Sequence, residues 1–155
     1  MNDYIKSMRK YIGHECLIIV GSDVFVYKNG KILLQKRRDN GLWHLHGGCI
    51  EIGETLEEAA KRELFEETGL TANKLDFFYT YSGKDLLYTY PNGDKVYSII
   101  TFWICEDYSG EVDIDENEVL ELKWFNINEI PDEVTPTLKK PIKDFIKFIK
   151  KRDRI

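Results

Sequence analysis

One helix is marked at both ends in the sequence, and it constrains the fold more than any other segment. Thr55 and Glu58 form a T-x-x-E capping box at the start of residues 55–68, and Gly69 stands where a glycine commonly ends a helix. The apolar residues of this segment recur at helical spacing and form one face: Leu56, Ala59, Ala60 and Leu64. That face needs an apolar layer to pack against, and the strand-like segments of the chain provide one.

Strand-like segments lie on both sides of this helix. Residues 16–28 and 31–36 are joined by Asn29-Gly30, the strongest short hairpin signal. A brief strand over residues 43–46 precedes an expected Gly47-Gly48 turn. The remaining predicted elements are strands over 75–81, 86–90, 95–106 and 120–125, a leading helix over 3–12 and a final helix over 138–149. Strands and helices alternate irregularly around hairpins, so we expect an α/β fold with helices on the faces of a mixed sheet.

Composition indicates one folded domain over residues 1–155, with a hydrophobic fraction of 43% and a charged fraction of 32%. The 22 basic and 27 acidic side chains give a formal charge of −5, which argues against a DNA-binding domain. Cys16, Cys49 and Cys105 form no C-x-x-C pair, so we expect free thiols, with Cys16 and Cys105 buried. The sequence has neither a signal peptide nor an apolar run long enough to cross a bilayer. We therefore expect a cytoplasmic protein with no membrane partner.

An acidic stripe is the first candidate for chemistry. On a helix, Glu63, Glu66 and Glu67 stand at positions i, i+3 and i+4 and share one face. Like charges at this spacing repel each other, and hard oxygen ligands suit Mg²⁺ or Mn²⁺. Gly47 and Gly48 let the backbone approach closely, so the Gly47 carbonyl is a further candidate ligand. The stripe therefore predicts a metal site whose carboxylates face solvent, although a solvated acidic helix face stays open as the alternative.

Residues 48–70 match the pattern G-x5-E-x7-R-E-U-x-E-E-x-G-U at every specified position, where U is a bulky aliphatic residue. The segment thus resembles the signature of the Nudix hydrolase (MutT-related) family. Residues 33–37 and 41–43 look like the strand and loop that precede this signature in the family. The resemblance implies an α/β/α sandwich around a mixed sheet.

The resemblance also implies an activity, which is hydrolysis of a nucleoside diphosphate linked to another group, with Mg²⁺ as cofactor and Mn²⁺ as the alternative. Glu63 and Glu67 would be the principal metal ligands, and Glu66 would be a third ligand or activate the water. Arg62 would pair with a neighbouring carboxylate and hold it in position, while Glu54 would support the junction between loop and helix.

His46 departs from the family pattern, which commonly has Leu-Pro-Gly-Gly where this chain has Leu45-His46-Gly47-Gly48. His44 and His46 would face the same way on a strand, as the histidines of a zinc pair do. No third ligand lies nearby in the sequence, which disfavours zinc. Two interpretations stay open: one of the histidines contacts a phosphate or the leaving group, or His46 is a tolerated loop substitution.

Glu118 is the candidate base outside the signature. In the family, a glutamate ahead of a strand that ends in an aromatic pair often completes the site, and Glu118 precedes such a strand at Trp124-Phe125. Glu116 is the second choice, and a solvated acidic loop is the alternative. The function of this segment therefore depends on where Glu118 lies relative to the signature helix.

The sequence identifies the residues that contact the substrate less specifically than the residues of the signature. Arg37 and Arg38 end a strand on which side chains alternate, so only one should face the site, and Arg37 better matches the family's arginine. Tyr88 falls where a family tyrosine is associated with dinucleoside polyphosphates. The Tyr90–Asp94 turn has two interpretations, a segment that reaches over the site or a plain hairpin turn, and we favour the second.

The leading hypothesis is a metal-dependent pyrophosphohydrolase for a nucleoside triphosphate, ADP-ribose or a dinucleoside polyphosphate. A regulator that binds a nucleotide-like ligand without turnover is disfavoured by the complete set of carboxylates. A prenyl diphosphate isomerase is disfavoured because no cysteine stands where an acid–base partner for an alkene is needed. The expected partner is a nucleotide-like diphosphate, and a homodimer is left open.

Overall fold

A mixed sheet of eight strands is built around β1 (Leu17–Lys28) in the computed structural model, which describes residues 3–155. β7 (Lys95–Ser109) runs parallel to β1. Two further strands, β4 (His46–Cys49) and β2 (Lys31–Arg37), pair with β1 in the antiparallel direction. The other strands extend the sheet outwards: β3 (Trp43–His44) and β8 (Val119–Asn126) on β2, and β5 (Thr71–Tyr81) and β6 (Leu87–Thr89) on β7. The predicted mixed sheet is confirmed.

The helices are α1 (Asp3–Ile12), α2 (Leu56–Thr68) and α3 (Lys139–Asp153), with short 3-10 turns at Lys84–Leu86 and Pro136–Leu138. The ends of α2 are those that the sequence predicts. Thr55 Oγ1 accepts a hydrogen bond of 3.0 Å from the Glu58 N–H, and Gly69 (φ 80°) donates its N–H to the Phe65 carbonyl. Both caps satisfy backbone groups that an uncapped helix leaves without partners.

Two apolar cores lie on opposite faces of the sheet because side chains alternate along β1. Phe25 packs towards α3, where its ring stacks on Phe145 at a centroid distance of 4.1 Å. Val24 and Val26 belong to the other core, which α2 covers through Leu64 among others. Helices thus cover both faces of the mixed sheet, and the α/β/α arrangement is confirmed.

The Asn29-Gly30 hairpin turn is present as predicted. Lys28 pairs with Lys31 across it, and both turn residues have positive φ, at 52° and 75°. Such a turn matches the right-handed twist of its flanking strands.

Two local predictions are wrong. Gly47 and Gly48 lie inside β4, paired with Asp23 and Ser22 of β1, and do not form a turn. Cys16 is exposed, because it precedes the first residue of β1, whereas Cys105 is buried as expected. All three cysteines are free thiols, in agreement with the cysteine spacing.

Within residues 3–155, no helix combines the length and the apolar character that crossing a bilayer requires.

Candidate active site

A cavity of about 660 Å³ is lined by residues from the end of β2, from β4 and from α2. Its wall includes two acidic residues of α2 and one that precedes β8, two arginines at the end of β2, and the backbone of β4: Glu63, Glu67, Glu118, Arg37, Arg38, Gly47 and Gly48. Further lining residues come from α1, from the hairpin between β6 and β7 and from the start of β7: Ile5, Arg9, Tyr90, Asn92, Asp94 and Val96. Most residues singled out in the sequence therefore meet at one place.

The acidic stripe of α2 does not face solvent as expected. Glu67 is buried at 6% exposure, the Glu63 side chain is 17% exposed, and only Glu66, at 56%, faces water. The reason is that α2 packs across β4, which turns the Glu63–Glu67 edge of the helix towards the strand. The Gly47 N–H accordingly points at Glu67 Oε2, with a nitrogen–oxygen distance of 3.4 Å.

The burial of these carboxylates changes their acidity. Burial raises the pKa of Glu67 well above its usual range, and the charges of Glu63 and Asp23 raise it further. Burial also raises the pKa of Glu63, although the hydrogen bond and charge of Arg62 oppose this. The pair is therefore strained when both carboxyls are ionised, and a proton or a cation between them relieves the repulsion.

Arg62 organises the acidic residues around the start of α2. Its guanidinium donates to both oxygens of Glu54 at 2.6 and 2.9 Å and to Glu63 Oε1 at 2.8 Å. It also reaches the Cys49 carbonyl at 3.2 Å and Glu66 Oε2 at 3.4 Å. Glu54 in turn accepts the Glu51 N–H at 3.0 Å, so this network ties the loop before α2 to the helix.

The two glycines of β4 are required by close contacts. A Cβ on Gly48 would stand 2.6 Å from the carboxyl carbon of Glu63, and a Cβ on Gly47 would overlap the Asp23 carboxylate. A larger residue at Gly47 would push β4 away from β1, and one at Gly48 would displace the Glu63 carboxylate. Glycine here keeps backbone groups in reach of the α2 carboxylates.

The two histidines have different partners, so no zinc pair forms between them. His46 is fully buried, with Nε2 3.0 Å from the Leu33 carbonyl oxygen and Nδ1 3.0 Å from the Gln35 side-chain amide. Burial lowers the pKa of His46 to about 4, so the ring is neutral and donates from only one nitrogen. His44 lines the cavity, and its Nδ1 lies 2.6 Å from Thr135 Oγ1. His44 can therefore contact a phosphate in the cavity, whereas the buried His46 cannot.

Replacing His46 by alanine should destabilise the protein by about 2–4 kcal/mol. The change leaves a cavity beneath β4 and removes the partner of both Gln35 and the Leu33 carbonyl. Urea denaturation of the metal-free protein measures the loss. His14→Ala is the control, because His14 is exposed and water screens its pair with Asp94, so this pair contributes little to stability. Equal stability of the two variants would contradict the anchoring role of His46.

Glu118 lines the cavity, immediately ahead of β8. Arg38 holds the backbone at this position, since its N–H donates to the Glu118 carbonyl at 3.0 Å and its Nε donates to the Glu116 carbonyl at 2.8 Å. Glu116 is not among the described residues that line the cavity. The geometry therefore favours Glu118 over Glu116 as the residue that reaches a ligand.

Both Arg37 and Arg38 line the cavity, so the expectation that only one does so is wrong. The register between β2 and β8 shifts between Lys36 and Arg37, which breaks the alternation of side chains at the strand end. Arg37 is held by two hydrogen bonds to Asp39, at 2.9 and 2.7 Å. Its guanidinium is thus fixed in orientation at the cavity wall.

The hairpin between β6 and β7 is both a turn and a wall of the site. The Tyr90 N–H donates to the Asp94 carbonyl, as in a plain hairpin, yet Tyr90, Asn92 and Asp94 line the cavity. The segment is therefore the hairpin turn that we favour, and its residues also line the cavity. Tyr88 is not among the described cavity residues and packs edge-on against Tyr90, at a ring distance of 4.8 Å.

Sequence reasoning missed three contributors to the site. Asp39 fixes Arg37, Arg9 brings α1 to the cavity, and Asp23 lies buried behind Gly47. Only Asp23 carries a signal in the sequence, because it is an acidic residue inside the otherwise apolar strand over 17–28.

The donor set suits a hard divalent cation, although the side chains are not gathered as ligands. Among residues 3–155, no three His, Cys, Asp or Glu side chains stand together in a group able to hold a metal ion. The oxygens of Glu63 and Glu67 nevertheless lie beside the β4 backbone, and Asp23 Oδ2 is buried there without a hydrogen bond. Carboxylate and carbonyl oxygens are the ligands that Mg²⁺ and Mn²⁺ take.

Known proteins resemble this chain in sequence. A model of the NUDIX domain matches residues 18–145. An ADP-ribose pyrophosphatase of Methanocaldococcus jannaschii is 34% identical over 147 residues, which are 93% of this chain and 80% of that protein. An NAD-capped RNA hydrolase NudC of Haemophilus influenzae is 29% identical over 119 residues, which are 74% of this chain but 41% of NudC. The chain thus spans about two fifths of the length of its NudC relatives.

Solved structures share the fold. The crystal structure of a MutT NUDIX hydrolase from Burkholderia pseudomallei superposes with a TM-score of 0.71 at 24% identity, and it covers 82% of this chain and 97% of that one. A UDP-X diphosphatase structure gives a TM-score of 0.68 at 16% identity and covers 97% of this chain.

Proposed function

The chain belongs to the NUDIX domain family, and we propose that it hydrolyses the diphosphate bond of a nucleoside diphosphate linked to another group, with a divalent metal ion. One observation supports this most: Glu63 and Glu67 of α2, Glu118 and Arg37 all line a single cavity of about 660 Å³. A cavity of this size accommodates a ligand as large as a dinucleotide fragment.

Four groups would hold the metal: the Gly47 carbonyl, Glu63, Glu66 and Glu67. A bound Mg²⁺, or Mn²⁺ as the alternative, neutralises charge on a diphosphate and lowers the pKa of coordinated water. Arg62 holds the Glu63 carboxylate in place through its 2.8 Å hydrogen bond, and it is itself anchored by Glu54. Arg62 therefore positions the ligands and stays bound to protein oxygens.

Two charged residues would act on the substrate. Arg37 offers a guanidinium whose orientation Asp39 fixes, and this suits a phosphate oxygen. Glu118 would accept the proton of the attacking water, because it lines the cavity from an element other than α2 and its charge acts on Glu67. Glu66 is the alternative base, since it is the exposed member of the stripe.

Among the substrate classes, we propose a nucleoside diphosphate sugar of the ADP-ribose kind first. The support is the similarity to the M. jannaschii ADP-ribose pyrophosphatase, which extends over 93% of this chain and 80% of that protein. Nucleoside triphosphates and dinucleoside polyphosphates are the next candidates. A single domain over residues 1–155, a cytoplasmic location and a homodimer stay predictions.

A substrate panel tests the proposal. Nucleoside triphosphates, ADP-ribose, dinucleoside polyphosphates and NAD-capped RNA are incubated with the protein, with and without Mg²⁺, and the products are separated by chromatography. We expect Mg²⁺-dependent conversion of ADP-ribose into AMP and ribose 5-phosphate. Hydrolysis of no substrate would contradict the proposal, and tight ADP-ribose binding without product would favour the non-catalytic regulator.

The pKa of Glu67 predicts how pH affects the metal-free protein. When the pKa of a carboxyl is raised in the folded state, the carboxyl stabilises the fold at a pH below its usual pKa of 4.5. This contribution is lost as the pH rises through the raised pKa. We therefore expect the melting temperature of the metal-free protein to fall as pH rises above 4.5 and through the raised pKa of Glu67, and Mn²⁺ affinity to rise over the same interval. Calorimetry and electron paramagnetic resonance of Mn²⁺ measure the two trends.

The matched variant for this pH dependence is Glu67→Gln, in which the fall in melting temperature should be smaller. An equal fall in the wild type and the variant would assign the pH dependence to another group.

A further inference from the structure

Asp23 is a buried carboxylate, and burial of a charged group is energetically unfavourable. It is 5% exposed and lies in β1 between Ser22 and Val24, both fully buried. Within residues 3–155, its Oδ2 atom receives no hydrogen bond, and the basic group beside it is His44 Nε2, at 3.4 Å. A buried carboxylate with so little compensation destabilises a fold. Its presence therefore calls for a role other than packing.

The position of Asp23 connects it to the α2 carboxylates. The register of β1 and β4 places Asp23 opposite Gly47, so closely that a Cβ on Gly47 would overlap the carboxylate. The N–H of the same Gly47 points at Glu67 Oε2 at 3.4 Å. Asp23 and Glu67 thus contact one short segment of backbone, while Asp23 is not among the described residues that line the cavity.

Electrostatics agrees with this placement. After burial itself and the charge of Glu63, the charge of Asp23 is the next cause that raises the pKa of Glu67. A negative charge that disfavours ionised Glu67 in the metal-free protein attracts a cation to the same place.

His44 lies beside the Asp23 carboxylate. The Thr135 hydroxyl lies 2.6 Å from His44 Nδ1 and can donate to this nitrogen, while His44 Nε2 lies 3.4 Å from Asp23 Oδ2 without a hydrogen bond between them. Thr135 is 6% exposed and its backbone N–H donates to the Trp43 carbonyl at 2.9 Å. The orientation of His44 is therefore set by the strand that carries it and by a buried partner.

We propose that Asp23, which lies beside His44 and opposite Gly47, strengthens divalent-cation binding by Glu63 and Glu67 through its charge, without ligating the cation. This inference rests on the proposed function, since it requires that the α2 pair binds a cation. Attraction between a carboxylate and a divalent cation a few ångströms beyond ligand distance is large enough in a protein interior to change affinity about tenfold.

Mn²⁺ binding without substrate tests the proposal on the wild type and on three variants. Asp23→Asn removes the charge at nearly constant shape, Glu67→Gln removes a proposed ligand, and Asp144→Asn is the matched control. Asp144 accepts hydrogen bonds from Tyr81 and Lys140 on α3 and is not among the described cavity residues. Electron paramagnetic resonance gives the dissociation constants, and thermal unfolding of the metal-free variants shows that each one folds.

We expect Asp23→Asn to weaken Mn²⁺ binding about tenfold, Glu67→Gln to weaken it by more than about 100-fold, and Asp144→Asn to change it less than about twofold. Wild-type affinity in folded Asp23→Asn would overturn the inference and leave the proposed function intact. A loss as large as that of Glu67→Gln would make Asp23 a ligand and overturn the inference in its stated form. Absence of Mn²⁺ binding by the wild type itself would overturn the proposed function.

Asp23→Val is the second variant if Asp23→Asn does not fold. Valine is apolar and suits a strand whose neighbours are apolar, so replacing the buried charge should be tolerated. The same tenfold loss of Mn²⁺ affinity is expected. Failure of both variants to fold would assign Asp23 a structural role and overturn the inference.

Discussion

Glu67→Gln should lower kcat by about 10³-fold, equivalent to about 4 kcal/mol of transition-state stabilisation, while it makes the metal-free protein more stable. The two effects have one cause. Glu67 is buried beside Glu63 and Asp23, and these surroundings raise its pKa, so its ionisation at neutral pH costs folding free energy. Glutamine keeps an oxygen for the Gly47 N–H but carries no charge for a metal.

Steady-state kinetics with ADP-ribose and calorimetry without metal measure the two effects of Glu67→Gln. We expect a melting temperature about 2–4 °C higher, the shift that ~1 kcal/mol produces in a domain of this size. Glu57→Gln is the control on the same helix, since Glu57 is exposed and pairs only weakly with Lys61 at 3.7 Å. A variant that loses both stability and activity would instead show that the buried stripe holds the fold together.

Glu118→Gln should lower kcat by roughly 10²–10⁴-fold with little change in KM, which is the signature of a lost general base. Glu118 lines the cavity with Glu63 and Glu67, and its backbone is anchored to Arg38, so the side chain is presented from a fixed position. Glutamine preserves the shape of the side chain and cannot accept a proton at neutral pH. The structure of the loop should therefore survive the change.

Glu116→Gln is the matched control for Glu118→Gln, because the two residues share a loop and Glu116 does not line the cavity among the described residues. If Glu116→Gln lowers kcat and Glu118→Gln does not, the base has been assigned to the wrong residue of the loop. If neither variant is impaired, Glu66 on α2 is the base.

Most elements of the fold were predictable because their signals are local. The capping box at Thr55, the glycine after α2 and the Asn29-Gly30 turn specify backbone conformation over a few residues, and the structure has all three. The errors arose where pairing between distant segments decides the conformation. Gly47 and Gly48 suggest a turn locally, but hydrogen bonding to β1 makes them part of a strand.

The sequence alone determined the family signature, the helix that carries Glu63, Glu66 and Glu67, and the chemistry that oxygen ligands imply. Only the tertiary structure decided which of these carboxylates is buried, because burial depends on how α2 crosses β4 and on what lies behind it. Likewise, Arg9 and Glu118 lie far apart in the chain, and the packing of α1 against the sheet and the pairing of β8 with β2 bring them to one cavity, while the pairing of β1 with β4 places Asp23 opposite Gly47. The sequence gives the type of each side chain, whereas the pKa of a side chain and the wall of a cavity depend on neighbours that only folding brings together.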